Sequence, residues 1–209
     1  NFLGEVAVTA AIDFGAATTM MAFANLVWGI EPTKASTFGL FVVLIVVHGL
    51  LNTFGVNIVS LLSNVSAWWH IVGVLVIVGA LWIMPTQHQD VGWTFTHWYN
   101  GTGWSFGPYV FLMGLLMAQY TYTGYDASAH VAEETKNASV AAPKGIVMSV
   151  VISIIGGWIL LFSITAAIQD GSDKGIAGLL GSETGLPPAQ IFLDALNNPT
   201  MAKFLLFIV

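Results

Sequence analysis

The chain has 209 residues, of which 56% are hydrophobic and only 8% charged, with a mean hydropathy of +0.79 and a net charge of −6. Soluble domains carry roughly 25% charged residues, so the composition is that of a membrane protein. Five lysines without arginine and no basic run exclude a nucleic-acid binder, and the lack of cysteine excludes disulfides and thiolate chemistry.

In chain order, apolar stretches of roughly 17–25 residues mark the predicted spans. They cover about residues 3–28, 38–54, 68–84, 108–135 and 145–168, with a further span starting at 201 and running to 209. The stretches 55–67 and 136–144 read as linkers on one side. Residues 85–107 and 169–199 read as longer segments on the other, where Trp28, Trp82 and Trp104 would form an interfacial aromatic belt. Lysines divide almost evenly between the two sides, so charge alone does not orient the chain. Within 169–199, residues 174–180 and 187–196 have short helical patterns, and Pro187 and Pro188 suit a helix start. The beginning of the chain, with neither a basic region nor a cleavage site, reads as the interior of a longer protein, and so does its apolar end.

The fourth span is the unusual one. It stops behaving as a membrane helix at Thr121-Tyr122-Thr123-Gly124-Tyr125-Asp126 and resumes as a short polar helix ending in Glu133, Glu134 and Lys136. Broken backbone is tolerated at membrane depth only where protein or a water-filled cavity satisfies it, and such an interruption points to a transporter's binding site. Free carbonyls at the end of the first half-helix suit an ammonium group. Gly124 permits the dihedrals that a break requires, and Tyr120, Tyr122 and Tyr125 offer aromatic surface to a cation. Asp126 reads either as the N-cap of the second half-helix or as a titratable group meeting an amine. Two acids at a helix C-terminus oppose the macrodipole, so Glu133 and Glu134, with Lys136 able to pair with Glu133, read as an inner gate or as a solvated helix end.

Asp13 and Glu5 lie eight residues apart on one helical face of the first span. Asp13 is too deep to reach the interface, so it lines the substrate pathway or makes an interhelical hydrogen bond. His48 and Asn52 share a face of the second span. His70 has the chemistry of a proton-coupling group or of an interfacial histidine. No cofactor motif, nucleotide loop or metal-ligand cluster is present.

The run Gly124-Tyr125-Asp126-Ala127-Ser128-Ala129-His130, followed by Glu133-Glu134-Thr135-Lys136-Asn137-Ala138 and Ala142-Pro143-Lys144-Gly145-Ile146, resembles the sixth-helix signature of the amino acid–polyamine–organocation permeases. The likeness is greatest to the amino acid/choline branch, with its GABA permeases and bidirectional amino acid transporters, and extends more loosely over the whole chain. It implies an all-α integral membrane fold of five-plus-five inverted repeats, of which the chain would supply helices three to eight. By register with that motif, Tyr120 falls at an aromatic gate over substrate, and Asp126 where relatives sense protons. Residues 64–70, ending in His70, are similar to a helix start where many relatives carry a lysine standing in for sodium. The resemblance also places residues 136–144 in the cytoplasm and makes residues 169–199 an outer lid.

Together these readings describe a multi-pass plasma-membrane carrier for amino acids or small amines, working by alternating access with protons or by exchange. A choline or polyamine permease of the same fold is the alternative. A membrane-embedded enzyme would need a clustered nucleophile or metal set, and a non-transporting subunit would not need a broken helix with Asp13 and Asp126 in the bilayer.

Overall fold

The computed structural model describes residues 2–209, except the side chains of residues 56, 57, 117 and 134. It is helical, with no strand among the described residues. The chain divides into two compact units, residues 1–95 with 163–209, and residues 96–162.

In the first unit, α1 (Phe2–Trp28), α2 (Lys34–Phe54) and α3 (Val56–Ile83) are long and apolar enough to cross a membrane. Asp13, Ala17, Met21 and Ala24 lie along one face of α1 and are buried, a stripe whose small residues let a neighbouring helix approach closely. The start of α2 is fixed by a reciprocal cap. Thr33 Oγ1 accepts from the Ser36 amide at 3.1 Å, and Ser36 Oγ accepts from the Thr33 amide at 3.0 Å. Only Gly55 separates α2 from α3, its amide donating to Leu51 O. The stretch 55–67, expected to be a linker, is therefore helix. Ser60, Ser63, Asn64 and Ala67 recur at helical spacing, and their polarity hid the continuation of the span.

The ends of α3 and of α7 (Ala138–Ala166) are stapled together by glutamines. The Gln89 amide donates to Ala166 O at 2.8 Å and its side chain to Ile168 O at 2.8 Å, while Gln169 Nε2 donates to Gln87 O at 3.2 Å. The bonds from Gln89 satisfy carbonyls that a helix terminus leaves open. Trp82, expected in an aromatic belt, stacks on His88 at 4.9 Å and donates to the buried Ser163 Oγ at 2.9 Å.

Residues 169–199 form α8 (Asp173–Leu180) and α9 (Pro187–Leu196). Ala189, Phe192, Ala195 and Leu196 of α9 are buried in the first unit's core, and α9 packs on α3 and α10 (Pro199–Ile208). Asn197 closes α9 at φ +47°, and Asn198 Oδ1 accepts from the Thr200 and Met201 amides to start α10.

Ser172 caps α8 by accepting from the Gly175 amide at 3.2 Å, and Asp170 accepts from the Ser172 amide at 2.9 Å. The Ser172 side chain, and then its amide, hold the Asp170 carboxyl below its ordinary 3.8. A lowered folded-state value means that this contribution is fully present above 3.8 and is lost as the pH falls through the lowered value. Ser172→Ala should cost ~1 kcal/mol of local α8 stability. It should also remove the acid sensitivity of Gly175 amide exchange; unaltered exchange in the variant would refute the cap.

The first unit also holds nearly all of α4 (Val91–Thr96), and the second unit consists of α5 (Gly107–Tyr120), α6 (Ala127–His130), a 3-10 turn (Ala132–Glu134) and most of α7, with their connections. Stretch 136–144 is not a linker throughout, because α7 begins at Ala138 and carries Pro143 inside it. Proline there lies in the second turn, so α7 forgoes the bond that an amide at 143 would make to Ser139 O.

Candidate functional site

The break in the second unit is built from successive short turns. The amides of Thr121, Tyr122 and Thr123 donate to the carbonyls of Ala118, Gln119 and Tyr120, and those of Tyr125 and Ala127 to Tyr122 and Gly124. This leaves the carbonyl oxygens of Thr121 and Thr123 without a hydrogen-bond donor among the described residues. Gly124 has φ +83°, a conformation that would cost an L-residue ~1–2 kcal/mol. Two carbonyls without a donor, next to a glycine turn, make an acceptor surface for an ammonium group.

The broken segment is held by α7. Ser149 Oγ donates to Tyr125 O at 3.2 Å, and Ser128 Oγ of α6 donates to Ala142 O at 3.1 Å. A Cβ on Gly145 would stand 2.9 Å from Ser128 Cβ and Oγ, and one on Gly157 would stand 3.2 Å from Thr121 Cγ2. Ala142, Gly145, Ser149 and Gly157 thus keep one side of α7 low enough for the irregular backbone to lie against it.

Of the predicted site residues in this unit, Tyr120 ends α5 half-exposed, Tyr125 is exposed, and Tyr122 is half-buried. Thr121 and Thr123 are exposed. Asp126 occupies the N-cap position of α6, but its side chain makes no cap hydrogen bond. Its Oδ2 instead lies 3.4 Å from His130 Nε2, one turn on. The expected Glu133–Lys136 ion pair does not form among the described residues. Thr135 is extended at φ −94° and ψ +128°, which takes Lys136 off the helical spacing that pairing requires. The Glu134 side chain lies outside the described residues.

In the first unit, Asp13 is buried and its Oδ1 accepts from His48 Nδ1 at 2.7 Å. This interhelical hydrogen bond joins α1 to α2. Asp13 Oδ2 is buried with no partner. The sequence had placed His48 on a helix face without linking it to Asp13, and nothing in a single chain reports the rotation of one helix against another. His70 lies well inside α3 rather than at a helix start. Its Nδ1 donates to Ser66 O at 2.7 Å, one turn back on its own helix. Between α2 and α3, His48, Asn52, Ser63 and Ser66, with Leu51, Val59, Leu62 and Ala67, line an open groove of about 480 Å³. No group of three potential metal ligands occurs among the described residues.

The amino acid permease family model matches residues 1–209. The chain belongs to that family. It is 36% identical to amino-acid permease BAT1 of Arabidopsis thaliana over 95% of this chain and 40% of that protein. It is 35% identical to a rice homolog of BAT1 over 95% of this chain and 39% of the relative. It is also 26% identical to the GABA-specific permease of Saccharomyces cerevisiae over 98% of this chain and 36% of that protein. The chain thus spans about two fifths of the length of the curated relatives it matches, which are named as permeases and not as enzymes. No solved structure matches it significantly. Membership agrees with the all-helical, multi-pass character of the chain, whose described residues include four helices able to cross a membrane.

Proposed function

We propose that the protein is a secondary carrier that moves amino acids or related small amines across a membrane by alternating access, driven by protons or working by exchange. The observation that carries this reading is the break at residues 121–126, with two unpartnered carbonyls beside Gly124. The substrate ammonium would rest on the Thr121 and Thr123 carbonyls. Tyr120, Tyr122 and Tyr125 would supply cation–π surface worth ~0.5–2 kcal/mol, and Asp126 would sense charge at the start of α6. Glu133, Glu134 and Lys136 would gate the inner side, with residues 136–144 in the cytoplasm, and α8 and α9 would form the outer lid. The inverted-repeat arrangement, a plasma-membrane location and a coupling role for His70 belong to the same reading. GABA enters as a candidate substrate because one relative bears that name.

Uptake of labelled amino acids and GABA by the full-length protein in proteoliposomes tests this, with and without an inward proton gradient. Gradient-driven accumulation of one class supports proton coupling, and exchange indifferent to the gradient keeps a carrier that works as an exchanger. Lack of both with these probes, while choline or a polyamine is exchanged, would move the assignment to the alternative substrate class.

A further inference from the structure

We propose that Asp13 and His48 form a proton-binding pair inside the membrane, loaded from the α2–α3 groove; this rests on the reading of the protein as a proton-coupled carrier. Three observations place it. Asp13 is only 2% exposed and sits near the middle of α1. Among the described residues, one of its oxygens has no hydrogen-bond partner, and the other meets His48, 35 residues away. That partner, His48, is the group that faces outward, with its side chain 48% exposed and lining the groove shared with Asn52, Ser63 and Ser66.

Burial decides the ligand. A substrate ammonium or a metal ion cannot reach Asp13 Oδ2 without parting α1 from its neighbours, whereas a proton needs only a hydrogen bond to travel along. The transfer balances as follows. A hydronium ion reaching His48 gives a proton to Nε2 and leaves as water, the Nδ1–H bond breaks, and that proton forms an O–H bond on Asp13 Oδ1 across the 2.7 Å contact. The pair passes from one negative charge to none, and release reverses each step. Histidine suits the relay because its two nitrogens can exchange donor and acceptor roles.

Other titratable groups on the elements packed against the pair leave it alone. They are Glu5 on α1, Lys34 on α2, His70 on α3, Asp194 on α9 and Lys203 on α10. None makes an ion pair with Asp13 or His48 among the described residues. Uptake of a proton changes the charge carried by the hydrogen bond that joins α1 to α2.

The test uses the full-length protein. Infrared difference spectra between acid and alkaline buffer should show a protonated-carboxyl band that disappears in Asp13→Asn. The same band in that variant would overturn the proposal. His48→Gln keeps a donor for Asp13 but cannot relay a proton. In proteoliposomes it should retain exchange of the labelled amino acids and lose their proton-driven accumulation, and wild-type accumulation by this variant would equally overturn the pair. If wild-type uptake ignores the gradient, proton coupling fails as a reading of the protein, while the infrared band still decides whether the pair binds a proton.

Discussion

Gly145→Val is expected to abolish most substrate exchange while the protein still reaches the membrane. Ser128 Cβ and Oγ stand 2.9 Å from where a Cβ on residue 145 would lie, and a branched side chain adds two more carbons there. Ser128 cannot swing away freely, because its hydroxyl is tied to Ala142 O on the same helix that carries Gly145. Overpacking of this kind costs ~1–3 kcal/mol. Here it pushes α6 off α7 and so displaces the 121–126 backbone, whose carbonyls are the proposed substrate contacts. Gly156→Val is the matched control, since a Cβ at that position meets nothing within 4 Å. It carries the same propensity change on the same helix and should transport nearly as the parent does. Ser128→Gly placed beside Gly145→Val should restore part of the activity, because it removes both clashing atoms. Equal activity of the two single valine variants would show that contact between α6 and α7 does not position the site.

The break was legible because its signals are local. Gly124 and the polar run around it interrupt an apolar pattern within a few residues, and the structure uses each in place, with Gly124 at positive φ. Other features were hidden because they depend on distance or context. Stretch 55–67 looked like a linker because serines and asparagines lower its hydropathy, yet those residues follow helical spacing and the element runs unbroken from Val56 to Ile83. Asp126 has the residue type of a cap and occupies the position of one. Its carboxylate turns instead to His130, a choice between two neighbouring partners that composition does not rank. Least legible was the pairing of Asp13 with His48. Each residue stood out alone, but their meeting depends on how α1 and α2 are rotated and shifted against each other, which is set by packing over the whole α1 stripe.

That pairing leads to the second large expected effect, an asymmetry between its two halves. His48→Leu should destabilise the protein by ~3 kcal/mol, because it takes away the hydrogen-bond donor of a buried carboxylate, a loss that is larger for a charged group than for a neutral one. Asp13 Oδ2 already lacks a partner, so losing Nδ1 would leave both oxygens of the carboxylate unsatisfied in the interior. The figure is taken at the low end of the usual range because His48 is itself half-exposed. Asp13→Val should cost much less. The imidazole it orphans borders the open α2–α3 groove and is half-exposed there. The double variant, Asp13→Val with His48→Leu, should regain most of the stability lost in His48→Leu, since apolar replacement of both partners is often neutral or stabilising. Thermal unfolding of the full-length protein in detergent checks the order, with His48→Leu lowest and the double variant near the parent. If His48→Leu matches the parent, the contact contributes no net stability. If the double variant is as unstable as His48→Leu, the loss comes from the leucine's own packing and not from the stranded charge. The expected order carries a functional consequence as well. A pair that could be replaced by apolar residues without loss of stability is not needed to hold α1 against α2, which leaves proton binding as the role its chemistry fits.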